Sequence, residues 1–323
     1  MPLPLPLVHV SLVLVLILAS ALINHTHSAA VPDVCMALDL DNPLAEKFPN
    51  NATGVLNATL AIIPITLEAA RRIIPKQFTI LEHAYRDIVP DFPKGMYPVM
   101  LQAAHDHDVQ FRAYGITLDD FSRVGFEFPF LDFFGDGHSS FRWAPSQLIS
   151  STNVIALEGS RAYGTVVSPA TYDPVCDAYR TLSNGAQYFR GSSLDSPDFI
   201  EYEMWRVRPA GFNPYPLELF KNITNQPTFA NGSTCDNMIR LFNTSMSTGP
   251  YEPVAVRGRV HSLAAPFEGE RTWTEVYGVQ VATPFIENNY LDCRTMQGYE
   301  GTGGPGDSHA SSYYNNNDNF RDL

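Results

Sequence analysis

The stretch Phe126-Glu127-Phe128-Pro129-Phe130 puts an aromatic ring at every second position, with a carboxylate and a proline between. Period-two alternation of this kind is the signature of a β-strand. The run from Phe126 to Phe134 therefore reads as a core strand rather than a ligand box, although part of it would line any internal cavity. Outward in the chain the pattern repeats. Val109, Phe111 and Ala113 alternate with Gln110, Arg112 and Tyr114, and strand-like stretches follow at 200–208, 254–261 and 274–282. One helix is clearly signalled. Thr66 is its N-cap, Glu68 lies in its first turn, and Pro75 stops the run Leu67-Glu-Ala-Ala-Arg-Arg-Ile-Ile. A second helix is expected over 235–242. Several strands with one or two helices fit a barrel-like α+β domain.

The ends of the chain differ from its middle. An apolar run at 12–23 is too short to span a bilayer comfortably, and small residues follow at 19–21 and 28–30. Residues 1–30 thus read as a cleavable signal peptide, residues 31–293 as one domain, and the Gly/Asn-rich 294–323 as a disordered tail. Sequons at Asn51, Asn57, Asn222, Asn231 and Asn243 fit a glycoprotein of the secretory pathway, whether secreted, vacuolar or at the cell surface. Four cysteines (Cys35, Cys176, Cys235, Cys293) are expected to form two disulfides, with three connectivities open. Their wide spacing does not suit a zinc site. A net charge of −13 with only four lysines excludes nucleic acid and anionic membrane as partners. No nucleotide-binding glycine pattern or nucleophile elbow occurs, and no cofactor is expected.

From the helix onward the chain resembles the acetoacetate decarboxylase superfamily. The residues that carry the resemblance are Leu67-Glu-Ala-Ala-Arg-Arg-Ile-Ile-Pro-Lys-Gln-Phe-Thr-Ile80, Tyr97-Pro-Val-Met-Leu-Gln-Ala-Ala-His-Asp106, Phe121–Phe130 and Ala156-Leu-Glu-Gly-Ser-Arg-Ala-Tyr-Gly-Thr-Val166. The resemblance implies a mainly antiparallel, cone-shaped β-barrel with flanking helices around a cavity, often in homo-oligomers. It also places 156–166 as the strand and loop that present the family's catalytic lysine. Here Thr165 and Val166 stand at the two lysine positions, Pro64 at the substrate-binding arginine, and Met100 and Arg123 at the two active-site glutamates. Imine chemistry is therefore not expected, since it needs a lysine whose amine is held neutral.

Glu158, Arg161, Tyr163 and Arg123 supply the types that acid–base work on a keto compound needs, a proton acceptor and groups that hold enolate charge. They are the candidate catalytic residues, with Met100, Thr165 and Phe128 as cavity lining. The structural alternative is that Glu158 and Arg161 only pair with each other. His105-Asp106-His107-Asp108 could hold a metal with His138, but the run reads as a strand end entering a solvated turn, so no metal is expected. Gly306-Asp307-Ser308-His309 echoes an esterase block but falls in the tail. The expected function is a lyase or isomerase on a small keto or enone metabolite. A signal peptide on such a fold resembles the fungal secondary-metabolism enzymes that rearrange polyketide lactone precursors of the patulin type. The alternative is a carrier that holds an apolar ligand in the cavity. The expected partner is thus a small molecule, with no membrane contact once the signal is cleaved.

Overall fold

A computed structural model of the chain describes residues 41–207, 213–231 and 234–299. The signal segment, Cys35 and the block at 306–309 lie outside them. Fifteen strands and four α-helices follow in the order β1 (Ala52–Thr66), α1 (Leu67–Ile73), β2 (Thr79–Ile80), α2 (Glu82–Ile88), β3 (Met96–Phe111), β4 (Ile116–Thr117), β5 (Phe121–Asp132), β6 (Ser140–Trp143), β7 (Ser146–Ser150), α3 (Val154–Ala162), β8 (Val166–Asp173), β9 (Arg180–Thr181), β10 (Gln187–Ser193), β11 (Phe199–Arg206), α4 (Leu217–Asn225), β12 (Thr228–Phe229), β13 (Cys235–Arg240), β14 (Val254–Leu263) and β15 (Arg271–Leu291), counted among the described residues. The fold is mainly β, and the pairings are antiparallel except β6–β12 and β7–β8.

Four long strands, β5, β3, β1 and β15, hydrogen-bond side by side and form a wall. At 12, 16, 15 and 21 residues they are long enough to change partners along their length. The outer edge of β15 pairs with β14 over 271–280 and with β13 over 285–291. The outer edge of β5 pairs with β7 at Arg123 and Val124, then with β6 beyond Phe128. The sheet therefore forks at both margins and closes twice. One ring runs β5-β7-β8-β10-β11-β14-β15-β1-β3 and contains nine strands. The other runs β5-β6-β12-β13-β15-β1-β3 and contains seven. The change of partner on β5 coincides with a register shift between Phe128 and Leu131. There Phe130 adopts φ +58°, and its N–H donates to the side chain of Gln226.

Each face of the wall looks into a different ring. Register alternation puts Thr59, Gln280 and Val124 on the face toward β10 and β11. It puts Gln102, Asp106, Arg123 and Glu127 on the face toward β6 and β13. This is why β1 reads as an almost unbroken buried run, as strands covered on both sides do.

The structure corrects several local expectations. The helix at Thr66 is present, with the Thr66 hydroxyl accepting from the Ala69 N–H. The helix expected over 235–242 is strand β13 instead, because its inward residues must face the interior of the seven-strand ring. The strand and loop expected over 156–166 are largely helix α3, started by an Asn153 side-chain cap. His105, Asp106 and His107 are not a solvated turn but are buried in β3, which runs on to Phe111. Of the residues read as tail, Met296 and Tyr299 are buried in the core, just after the Cys293 that is disulfide-bonded to Cys235. Cys176 is disulfide-bonded as well, and no cysteine is free among the described residues.

Candidate functional site

The interior of the seven-strand ring is built from charged side chains. Arg123 on β5 grips Asp106 on β3 through two hydrogen bonds, Nε to Oδ2 at 2.8 Å and Nη2 to Oδ1 at 3.0 Å. Arg142 on β6 donates to Glu127 at 2.7 Å and to the Thr228 hydroxyl at 2.6 Å. Arg240 on β13 donates to the Gln102 carbonyl oxygen at 2.6 Å and to the Thr224 backbone carbonyl at 3.2 Å. Helix α4 closes on the same strand, where Asn225 bonds both the N–H and the carbonyl of Arg240. The Met238 sulfur lies 3.4 Å from Arg123 Nη2 and 3.6 Å from Arg240 Nη2.

Two further carboxyls enter this space, Asp236 from the irregular start of β13 and Glu287 from β15. Burial, the largest influence on each, pushes both acids above the usual carboxylate range. Asp236 raises Glu287 further, whereas Arg142, Arg123 and Arg240 pull Asp236 partly back. Both keep some accessible surface despite this desolvation. Burial also pushes Arg240 down, and the charges of Arg142 and Arg123 add to that. On Arg123 burial acts the same way, but pairing with Asp106 outweighs it and the net shift is upward. Three guanidiniums face four carboxyls, so the group is electroneutral when Asp236 and Glu287 share one proton.

Not every hydrogen-bonding atom here is used within the protein. Nε of Arg142, Nε of Arg240 and Oδ1 of Asp236 are buried without a partner among the described residues. Buried polar atoms are nearly always paired, so three in one interior are an exception that needs a reason. Stability is a poor one: buried ion pairs roughly break even against hydrophobic packing of the same volume.

Of the residues singled out from sequence, this space gathers Arg123 and Tyr163. Tyr163 is buried, stacks on Tyr290 with ring centroids 5.1 Å apart, and accepts from the Tyr290 N–H at 3.2 Å. Burial, then Asp236 and Glu287, raise its pKa, so it stays a neutral phenol. Glu158 and Arg161 are elsewhere. They pair with each other at 2.6 Å on α3, with side chains 45% and 40% exposed. Met100 is buried on β3 opposite Glu127, Phe128 is buried opposite Trp143, and the buried Thr165 hydroxyl donates to the Ala144 carbonyl. Lys47, Lys76 and Lys94 are exposed, and Lys221 pairs with Glu218 on α4. No group of three or more metal-ligating side chains occurs among the described residues. Asn243 and Asn231 are exposed, Asn51 and Asn222 half-buried, and Asn57 buried in β1.

Sequence reading missed Glu127, Arg142, Asp236, Arg240 and Glu287. For Arg240 and Glu287 the signal was a lone charge in or ending an apolar run, Met-Ile-Arg240-Leu-Phe and Pro-Phe-Ile-Glu287. Such a residue is either a bulge facing water or an interior charge, and sequence alone does not separate the two.

No protein-family model matches the chain. No curated protein matches it either. Among solved structures it is similar to the enduracididine biosynthesis enzyme MppR with HEPES buffer bound (TM-score 0.43, 11% identity, 82% of this chain and 97% of that one). It is similar to the same enzyme complexed with the condensation product of pyruvate and imidazole 4-carboxaldehyde (TM-score 0.40, 11% identity, 82% and 99%). A third likeness is to an acetoacetate decarboxylase-like enzyme from Sphingomonas wittichii RW1 (TM-score 0.35, 10% identity, 75% and 94%).

Proposed function

We propose that the chain is a lyase or isomerase that works by non-covalent acid–base chemistry on a small, oxygen-rich keto or enone metabolite. The observation that carries this reading is the set of unpartnered atoms in the seven-strand ring: two arginine N–H donors and a carboxyl oxygen of Asp236. The arginine donors suit a carboxylate or the oxyanion of an enolate, which gains charge as a proton leaves the α-carbon. The Asp236–Glu287 pair, both raised by burial, offers a base and an acid in one place when the two share a proton. In an isomerisation the ionised carboxyl takes the α-proton and the protonated one returns a proton at another carbon. In a dehydration the protonated carboxyl gives its proton to a β-hydroxyl, which leaves as water.

The exposure or pairing of all four lysines supports a route without an imine. The apolar-carrier alternative is less favoured, because a dry apolar ligand would leave the arginine and aspartate atoms without partners. A polyketide-derived substrate in the secretory pathway agrees with the short apolar run at 12–23 and the sequons. No helix among the described residues is long and apolar enough to cross a membrane.

The test is solvent exchange followed by proton NMR in D2O, with pyruvate, 2-oxobutyrate and 4-hydroxy-2-oxobutyrate as probes. Loss of α-proton signal with the native protein, reduced at least 100-fold by Glu287→Gln or Asp236→Asn in folded variants, is the expected result. Exchange that both variants leave untouched sinks the proposal, as does the absence of any exchange or dehydration.

A further inference from the structure

The other face of the wall carries its own recess. At the mouth of the nine-strand ring, a cavity of about 320 Å³ is lined by Gln280, Arg206, Glu252, Tyr251 and Asn57 among others. That volume is at the lower end of the range of small-molecule sites. None of the acids and arginines of the seven-strand ring lines it.

A chain of hydrogen bonds at the base of this recess fixes which way Gln280 presents its amide. The Tyr202 hydroxyl donates to the Ala178 carbonyl at 3.2 Å. With that proton committed, the 2.7 Å contact between Thr59 and Tyr202 must use the Thr59 proton. Thr59 then accepts from Gln280 Nε2 at 3.4 Å. The carbonyl oxygen of Gln280 is the end of the chain. It is buried, in a residue only 4% exposed, and has no hydrogen-bond partner among the described residues. Burying such an acceptor unpaired is destabilising, and a ligand donor would recover that loss.

The chemistry of the rim follows. Glu252 and Asp177 are exposed and add acceptors, and Tyr251, 52% exposed, offers a ring face. Arg206, also exposed, is the cation among the lining residues. We infer that this recess is a second small-molecule site, distinct from the acid–base interior, that takes a hydroxylated carboxylate of sugar-acid type. A hydroxyl donates to Gln280 Oε1, others meet the rim acceptors, and the carboxylate lies on Arg206.

Saturation-transfer NMR with gluconate and hexanoate tests this, the two probes sharing six carbons and a carboxylate but differing in hydroxyls. Gluconate binds and hexanoate binds at least tenfold more weakly. Gln280→Met, close to isosteric, weakens gluconate at least tenfold, and the exposed substitution Arg206→Ala weakens it at least threefold. Glu287→Gln, in the other ring, leaves gluconate binding within twofold whatever it does to proton exchange. Failure of gluconate to bind, equal binding of hexanoate, or native affinity in both recess variants overturns the inference. So does loss of gluconate binding in Glu287→Gln, which would move the ligand to the seven-strand ring.

Discussion

Arg123 and Asp106 lie on adjacent strands of the wall and meet as a bidentate pair inside the seven-strand ring, the carboxylate 1% and the guanidinium 13% exposed. Both oxygens of Asp106 are taken by this one partner. Arg123 is therefore anchored before any ligand arrives. Planar two-point pairing of this kind holds a guanidinium more firmly than a single contact does.

Removing one partner of this pair strands the other charge. Arg123→Met should cost about 3–5 kcal/mol in urea unfolding. The double variant Arg123→Met/Asp106→Leu should recover most of that loss, because it leaves no buried charge unpaired. Equal destabilisation by the single and double variants would contradict a direct coupling between the two.

Glu287 sets a pH dependence whose sign is determined by the direction of its shift. Burial, then Asp236, raise its pKa in the folded chain above that of the unfolded one. Its contribution to stability is complete below the unfolded value, about 4.3, and is lost as pH rises through the raised folded value. Glu287→Gln cannot ionise. Between pH 5 and 9, unfolding midpoints of the native chain should fall relative to those of the variant. Parallel curves across that window would show that Glu287 ionises freely.

The surface pair Glu158–Arg161 makes the opposite prediction. With both side chains well exposed, it should contribute no more than about 0.5 kcal/mol. Glu158→Ala and Arg161→Ala should unfold within that margin of the native chain and leave proton exchange intact. A loss of exchange in either folded variant would place the chemistry at α3 rather than inside the ring.

Asn57, in Asn-Ala-Thr, and Asn243, in Asn-Thr-Ser, both head sequons but sit in different surroundings. Asn57 is 9% exposed in mid-strand and its Thr59 is fully buried, whereas Asn243 is exposed. The recess that Asn57 lines, about 320 Å³, is too small for a core glycan. Glycopeptide mapping of protein expressed through a secretory pathway should find Asn243 occupied and Asn57 bare. Full occupancy at Asn57 would be incompatible with the register of β1 against β3 and β15.

The strand character of the middle of the chain was legible in its period-two aromatics, and helix α1 in its Thr66 cap and Pro75 stop. The destination of each face was not. Alternation around Phe126 and Phe128 implies that Glu127 points away from the core. In the fold it points into a second interior and meets Arg142, 15 residues on in the chain. The same ambiguity hid Arg240, whose partner Gln102 lies 138 residues away in sequence, and Glu287, which meets Asp236 from another strand. It also misplaced Glu158 and Arg161, since the three-residue spacing that brings them together is equally that of an exposed helix.

Local chemistry by itself determined that this chain is strand-rich, acidic, poor in lysine, and built on apolar runs that carry isolated charges. Which charges meet was decided only when four long strands changed partners along their length. That fork closes a ring on each face of one wall. A period-two pattern can tell two faces of a strand apart, but it cannot say that both are interiors.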